Sequence, residues 1–174
     1  MYSWFDTFGP ADTPADARAL RTAFSNFATG VCLVTTVAAD GKREGMTINS
    51  FASVSLQPAL LLWSIRDEAR SADVFVASGR FVVSVLGVEQ QELALHFARP
   101  AEDKFAKFAD QFEDGLGGCP RLRASIATFE CATWSRHKEG DHTILIGKVE
   151  RFSSSHGAPL ATYAGKLGAP GEIA

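Results

Sequence analysis

The chain has no dinucleotide-binding glycine fingerprint, no phosphate-loop lysine motif and no zinc-ligand spacing, absences that remove several common enzyme classes. Its three cysteines, Cys32, Cys119 and Cys131, are an odd number at unrelated spacings; they make no disulfide framework and suit a reducing compartment. No run of about 18 apolar residues occurs, and no basic stretch leads into an apolar one at the N-terminus. Neither membrane spanning nor export is signalled, and a soluble, cytoplasmic protein is expected. Basic charge is scarce: 17 Lys and Arg face 20 Asp and Glu, a formal net charge of −3. Nucleic acid is therefore a poor partner, and any anionic ligand must be met by a few placed cations. The four histidines, His96, His137, His142 and His156, are scattered without Cys or carboxylate at ligand spacing, so no metal is expected. Repeats and low-complexity tracts are absent too.

What is there fits one domain with a real core, 174 residues of which 46% are apolar and 21% charged. Residues 1–12 read as a loose arm and 13–174 as a single domain. Thr13 can cap a helix with Pro14 at its first position; Leu20, Ala23, Phe24, Phe27 and Ala28 recur on one face, and Gly30 ends it. The runs 31–37 and 43–51 flank Asp40-Gly41 and predict a β-hairpin. A strand over 60–65, a helix over 66–78 with Ala69, Ala72 and Val76 on one side, and a strand over 81–86 follow. A short helix over 89–98 stops at Pro100. Phe105, Phe108 and Phe112 lie at helix-like intervals within 103–112, and 115–120 is a loop. The stretch 124–134 alternates, with Ala127, Phe129 and Cys131 on one face; a polar turn over 137–141 joins it to a strand over 143–152. Strands, hairpins and few long helices predict an antiparallel sheet closed into a barrel with peripheral helices.

The most informative stretch is 45–55, where small hydroxyl and amide residues alternate with apolar ones. Buried polar groups cost roughly 1–3 kcal/mol each unless hydrogen-bonded, so such a run is either solvent-facing or satisfied by a ligand. Met46, Ile48, Phe51 and Val54 argue for a half-buried segment that presents Thr47, Asn49, Ser50, Ser53 and Ser55 to something flat and hydrogen-bonding. A polar edge strand and its turn is the plainer alternative.

Other motifs are weaker. Gly115-Leu116-Gly117-Gly118 neither follows a clear strand nor opens a helix and reads as a plain loop. None of Ser50, Ser53 and Ser55 sits in a nucleophile-elbow pattern, which disfavours hydrolase chemistry. Arg70-Ser71 opens a helix after a strand, where a cation and free amides can receive a phosphate. Lys104-Phe105 pairs a cation with an aromatic face, or is a solvated lysine beside a core phenylalanine. His142, in Gly140-Asp141-His142-Thr143, stands at the entrance to a strand, either over a cleft or simply bonded within its turn.

Together these pieces resemble the short flavin reductases, NAD(P)H:flavin oxidoreductases with a split-barrel fold that supply reduced flavin to partner monooxygenases. The resemblance runs through Phe24, Phe27-Ala28-Thr29-Gly30-Val31, Val34-Thr35-Thr36, Asp40-Gly41 and all of 45–55. It continues through Phe81, Val83, Val85-Leu86, Phe97-Ala98, Asp103-Lys104-Phe105, Gly140-Asp141-His142-Thr143, Gly147 and Val149. It implies a mainly β fold, an antiparallel split β-barrel with peripheral helices. It also implies that Thr47, Asn49 and Ser50 contact the flavin's ribityl chain and phosphate, with Ser53 and Val54 near the ring and Met46, Ile48 and Ser55 in the same wall. Arg70 and Ser71 assist at the phosphate. Phe97, Ala98, Lys104 and Phe105 fall at the distal part of the flavin, and Gly140, Asp141 and His142 at the nicotinamide. Two departures stand at the rim, Pro58-Ala59 where the family often has two prolines and Gly165-Lys166-Leu167 where an aromatic often follows; Tyr163 and Lys166 are rim contacts.

The implied activity is NAD(P)H-dependent hydride transfer to FAD or FMN, in a homodimer that releases reduced flavin to a monooxygenase by diffusion; no second basic cluster awaits a 2′-phosphate, which favours NADH over NADPH. The cofactors carry that chemistry and the protein aligns them, so His142 is expected to orient the nicotinamide rather than act as an obligatory acid or base. The alternatives are a non-enzymatic flavin carrier or electron-transfer module, and a split-barrel oxidase of the pyridoxamine phosphate type.

Overall fold

Thr13 opens the first described element. The computed structural model describes residues 13–171 with position 102 excepted, so the arm expected over 1–12 lies outside the described residues. The Thr13 hydroxyl accepts from the Asp16 amide at 3.2 Å and Pro14 occupies the first turn, starting helix α1 (Pro14–Ser25) where the sequence places it. The helix stops at Asn26, short of Gly30, because the Asn26 and Phe27 amides fold back onto the Ala23 and Phe24 carbonyls. Its expected apolar face is not covered: no α1 residue is buried, and Phe24 and Phe27 are 69% and 77% exposed.

The strands in chain order are β1 (Thr29–Gly30), β2 (Cys32–Val37), β3 (Arg43–Ile48), β4 (Ala52–Leu56), β5 (Ala59–Arg66), β6 (Arg80–Val85), β7 (Phe112–Asp114), β8 (Pro120–Leu122), β9 (Ala127–Glu139), β10 (His142–Ser154), β11 (Ala161–Tyr163) and β12 (Lys166–Gly168). Helices α2 (Ala72–Ala77) and α3 (Gln91–Phe97) lie between them. The main sheet has the order β3-β2-β6-β9-β10-β5-β4, antiparallel throughout. Its two edges, β3 and β4, are consecutive in the chain. From Ile48 to Ala52 the chain reaches at most about 14 Å, so the sheet must curl until its edges approach. The result is a mainly antiparallel β-barrel, split between β3 and β4, with peripheral helices.

β2 is buried along almost its whole length because both faces are covered, and its two polar residues, Thr35 and Thr36, donate to the Pro120 and Arg80 carbonyls. Cys32 and Val34 join Trp63, Phe75 and Phe81 in one core; Val31 and Leu33 join Leu86, Phe97 and Leu160 in a second. The second core lies under α3 and takes in Phe105, Phe108 and Phe112.

Four expectations change. The helix over 66–78 shrinks to α2, because the Asp67 amide is held by the Asp141 carbonyl at 3.0 Å and its carboxylate by the Thr143 hydroxyl at 2.8 Å, which pins the start of 67–71 to β10 as turns. The phenylalanines of 103–112 are buried, but the backbone is a 3₁₀ stretch over Ala106–Gln111 that Asp103 initiates by accepting the Phe105 and Ala106 amides. The glycine loop joins a small hairpin, β7 with β8. The polar residues 137–139 extend β9, leaving Gly140 (φ 61°) and Asp141 as the turn. On β9 both faces are covered, since Thr128 and Glu130 are buried; Glu130 accepts from the Leu116 amide at 2.5 Å and from Arg151 at 2.9 Å.

Candidate functional site

The polar stretch 45–55 lies at the split, and much of it is bonded to the chain itself. Thr47 Oγ1 donates to the Ala94 carbonyl of α3 at 2.6 Å. Ser50 Oγ donates to the Ser64 carbonyl at 3.2 Å and accepts the Ser64 amide at 3.0 Å, extending the β4–β5 ladder with a side chain in place of backbone. Ser55 Oγ accepts the Gln57 amide at 3.2 Å. Solvent and ligand were thus not the only ways to satisfy these groups. Thr47 and Ser50 each keep acceptor capacity for a ligand. Asn49 and Ser53 are exposed, and their side chains have no hydrogen-bond partner among the described residues. Val54 sits at a bulge in β4 and is 46% exposed, whereas Ile48 is buried and Met46 and Phe51 pack on the barrel core.

A cleft of about 240 Å³ opens between β3, the turn before α2 and the C-terminal end of α3. It brings together seven expected residues, Met46, Thr47, Arg70, Ser71, Phe97, Ala98 and Lys104, and adds Lys42, Glu44 and Arg99, which sequence reasoning missed. The signal was present: alternation on a strand puts 42, 44 and 46 on one side, and Arg99 directly follows Phe97-Ala98.

Lys104 anchors this cleft. Its ammonium donates to the Phe97 carbonyl at 2.9 Å and the Gly45 carbonyl at 3.1 Å, tying the last turn of α3, where a cation meets the negative end of the helix dipole, to β3. Burial holds its pKa below the ordinary lysine range, with nearby Glu44 opposing the shift and Arg70 adding to it. Among the described residues no carboxylate lies within ion-pair distance of Lys104, Arg70 or Arg99, while Lys42 is paired with Glu44 at 2.7 Å. A half-buried ammonium with a third donor unspent, beside an unpaired guanidinium, is an electrostatic setting made for an anion. Phe105 lies beneath, buried and edge-on to Phe97 with centroids 5.1 Å apart. Gly45 admits these rings: a Cβ there would stand 3.0 Å from Phe97 and 3.1 Å from Phe105.

His142 begins β10, opposite Arg66 of β5 and Glu139 of β9. Its Nδ1 lies 2.7 Å from Asp141 Oδ1, and Asp141 Oδ2 lies 3.5 Å from Arg66. The hydrogen bond from His142 holds the Asp141 carboxyl below its ordinary range. This contact commits Nδ1 and leaves Nε2 for a ligand. His142 and Gly140 do not line the cleft; residues 66–70 run between the His142 turn and Arg70. Tyr163 and Lys166 pair with each other across β11 and β12, in a three-stranded sheet with β1. Tyr163 lines a second cleft with Ala28, Thr29 and Gly30, and neither residue borders the first.

The flavin reductase like domain matches residues 24–170, most of the chain. The chain belongs to the flavin reductase-like family. The reductase component of the flavin-dependent trigonelline monooxygenase of Acinetobacter baylyi is 42% identical to this flavin reductase-like chain over 156 residues, 88% of the chain and 49% of that protein. An NADH-dependent flavin reductase of Rhodococcus is 34% identical over 165 residues, 93% of the chain and 91% of that protein. Among solved structures, the Streptomyces globisporus NADH:FAD oxidoreductase in complex with NAD and FAD fragments superposes with a TM-score of 0.82 at 34% identity, covering 89% of this chain and 93% of that one. The chain spans about half the length of the first curated relatives it matches.

Proposed function

We propose that the chain, as a single domain over 13–174, is an NADH-dependent flavin reductase that passes hydride to FAD or FMN and releases reduced flavin to a partner monooxygenase. The observation that carries the reading is Lys104, half-buried beside Arg70 in a cleft against the edge strand β3, with no carboxylate within ion-pair distance among the described residues. The donor set fits a flavin phosphate: Arg70 and Lys104 supply the charge and Ser71 a hydroxyl, while Thr47, whose one proton goes to the Ala94 carbonyl, has only acceptor capacity to offer the ribityl hydroxyls. Asn49, Ser50, Ser53 and the bulged Val54 form the wall for the rest of the flavin, with Ser55 and the backbone of Met46 and Ile48 behind it; Phe97, Ala98 and Phe105 shape the cleft. Bound flavin supplies the hydride acceptor. The protein's part is to hold and orient, and the Gly140-Asp141 turn aims His142 so that Nε2 meets the nicotinamide. Tyr163 and Lys166, on β11 and β12 away from this cleft, are given no part in it.

The monooxygenase partner is supported by the Acinetobacter reductase component and the nicotinamide by the Rhodococcus and Streptomyces relatives. A homodimer is supported by α1, whose Leu20 and Phe24, with the following Phe27, stand exposed without cover. Among the described residues no helix is long and apolar enough to cross a membrane, and the three cysteines are unpaired and buried, which suits a cytoplasmic protein. Anaerobic mixing with NADH and excess FAD or FMN tests the activity. Catalytic bleaching of the oxidised-flavin band is the expected result; bound flavin that stays oxidised with both NADH and NADPH would make the protein a carrier.

A further inference from the structure

The last rung of the β9–β10 ladder carries His142, opposite Glu139 on one side and Arg66 of β5 on the other. Rungs at the end of a ladder fray unless something outside it holds them. Asp67 holds this one at three points. Its amide donates to the Asp141 carbonyl at 3.0 Å, its Oδ1 accepts the Thr143 hydroxyl at 2.8 Å, and its Oδ2 lies 3.2 Å from the Lys138 ammonium. Asp141 and Thr143 are the two chain neighbours of His142, and Lys138 faces Thr143 across the ladder. Resting on the NADH reading above, we infer that Asp67 is a positioning residue, which fixes His142 toward the nicotinamide by holding the residue on either side of it.

Strand alternation puts Thr143 on the face opposite His142, so the grip comes from behind the imidazole and does not take up Nε2. On the near side Asp141 engages Nδ1 at 2.7 Å, and the carbonyl of that same Asp141 is what the Asp67 amide holds. The Thr143 hydrogen bond, and after it Lys138 and His142, keep the Asp67 carboxyl below its ordinary range, so it stays an ionised acceptor for both donors. The two side-chain contacts are unequal. Lys138 is 75% exposed, and a screened surface pair is worth little. The part-buried Thr143 bond, one residue from His142, carries the positioning. Asp67 is also separate from the phosphate cleft. It does not border it, and Ala69, packed on the barrel core, stands between it and Arg70 in the chain.

The test is steady-state NADH oxidation at saturating flavin, with flavin Kd by fluorescence titration and thermal melting to establish folding. It compares wild type with Asp67→Asn, and with Asp67→Ala and Thr143→Val, each alone and combined with His142→Ala. Losing the Thr143 bond in Asp67→Ala or Thr143→Val should raise the KM for NADH about 5-fold and leave the flavin Kd within about twofold. Asp67→Asn keeps an oxygen for Thr143 and should stay within about twofold of wild type. Because Asp67 acts through His142, either variant should add less than about twofold in the His142→Ala background. Should Asp67→Ala not fold, the Thr143→Val pair decides. The same rise in both backgrounds, an equal rise in flavin Kd, or no rise at all overturns the positioning role alone. An unchanged KM in His142→Ala overturns it together with the placing of His142, and no NADH oxidation by wild type with either flavin overturns the reductase reading as well.

Discussion

Thr47 separates two roles that its position permits. Its hydroxyl donates to the Ala94 carbonyl at 2.6 Å, so it braces α3 against β3; it also borders the cleft, so it can touch a ligand. Thr47→Val keeps the shape and removes the bond. The Ala94 carbonyl still accepts the Ala98 amide at 3.0 Å, so no buried acceptor is orphaned and the cost stays near that of one neutral hydrogen bond, about 1 kcal/mol. For a chain of this size that is about 2–4 °C in Tm. If the bond to α3 is the hydroxyl's main work, urea unfolding of the apo-variant shows this loss while the flavin Kd, by fluorescence titration, rises less than about threefold. Unchanged stability with a flavin Kd raised about tenfold or more would refute the brace and assign the hydroxyl to the ligand.

Three further outcomes are expected. His142→Ala should raise the apparent KM for NADH by about 5- to 30-fold, the worth of 1–2 kcal/mol, and leave flavin binding unaltered; steady-state kinetics with unchanged turnover and NADH affinity would remove His142 from the nicotinamide site. Gly147→Ala places a Cβ 2.4 Å from Phe81 Cζ and 2.9 Å from Cys131 Cβ, inside the barrel. Overpacking there should cost about 1–3 kcal/mol, with partial recovery in Gly147→Ala/Phe81→Leu, and equal urea midpoints for the single variant and wild type would contradict the packing. Burial pushes the Cys32 and Cys131 thiols up to about 12 from 9.0. Between those values the unfolded chain gives up protons that the folded one keeps. The stabilisation is whole below pH 9 and is lost toward pH 12, at up to about 1.4 kcal/mol per pH unit for each thiol. Unfolding at pH 8 and 10.5 should show this slope in wild type and a flatter one in Cys32→Ala/Cys131→Ala; equal slopes would deny it.

Pattern carried the elements whose physics is local. The cap at Thr13, the Asp40-Gly41 turn and the β-branched, mostly apolar run of β2 each rest on neighbours a few residues away, and all appear where the sequence places them. The helix over 66–78 failed for a non-local reason. Its periodicity is real, since Ala72 is buried and Ala69 packs on the barrel core, but Asp67 is held by Asp141 and Thr143, more than seventy residues on. Helical spacing likewise marked Phe105 and Phe108 as core without revealing that Asp103 turns the backbone into a tighter helix.

The site shows the same division. Residue type announced that 45–55 was polar where a strand should be apolar, and the inference that those groups needed partners was sound. Identifying the partners required the fold: Ser50 finds Ser64 because the split brings the link 49–51 against β5, and Thr47 finds Ala94 because α3 lies across β3. Once those bonds are made, the groups left over define the ligand's surface more narrowly than the motif does. They are the exposed Asn49 and Ser53 at the split, and Arg70, Arg99 and Lys104 in the cleft, none of which has an ion-pair partner among the described residues. Among the described residues, a chain with a net charge of −3 keeps these three cations out of ion-pair distance of its carboxylates, and the flavin phosphate proposed above gives that separation a physical reason.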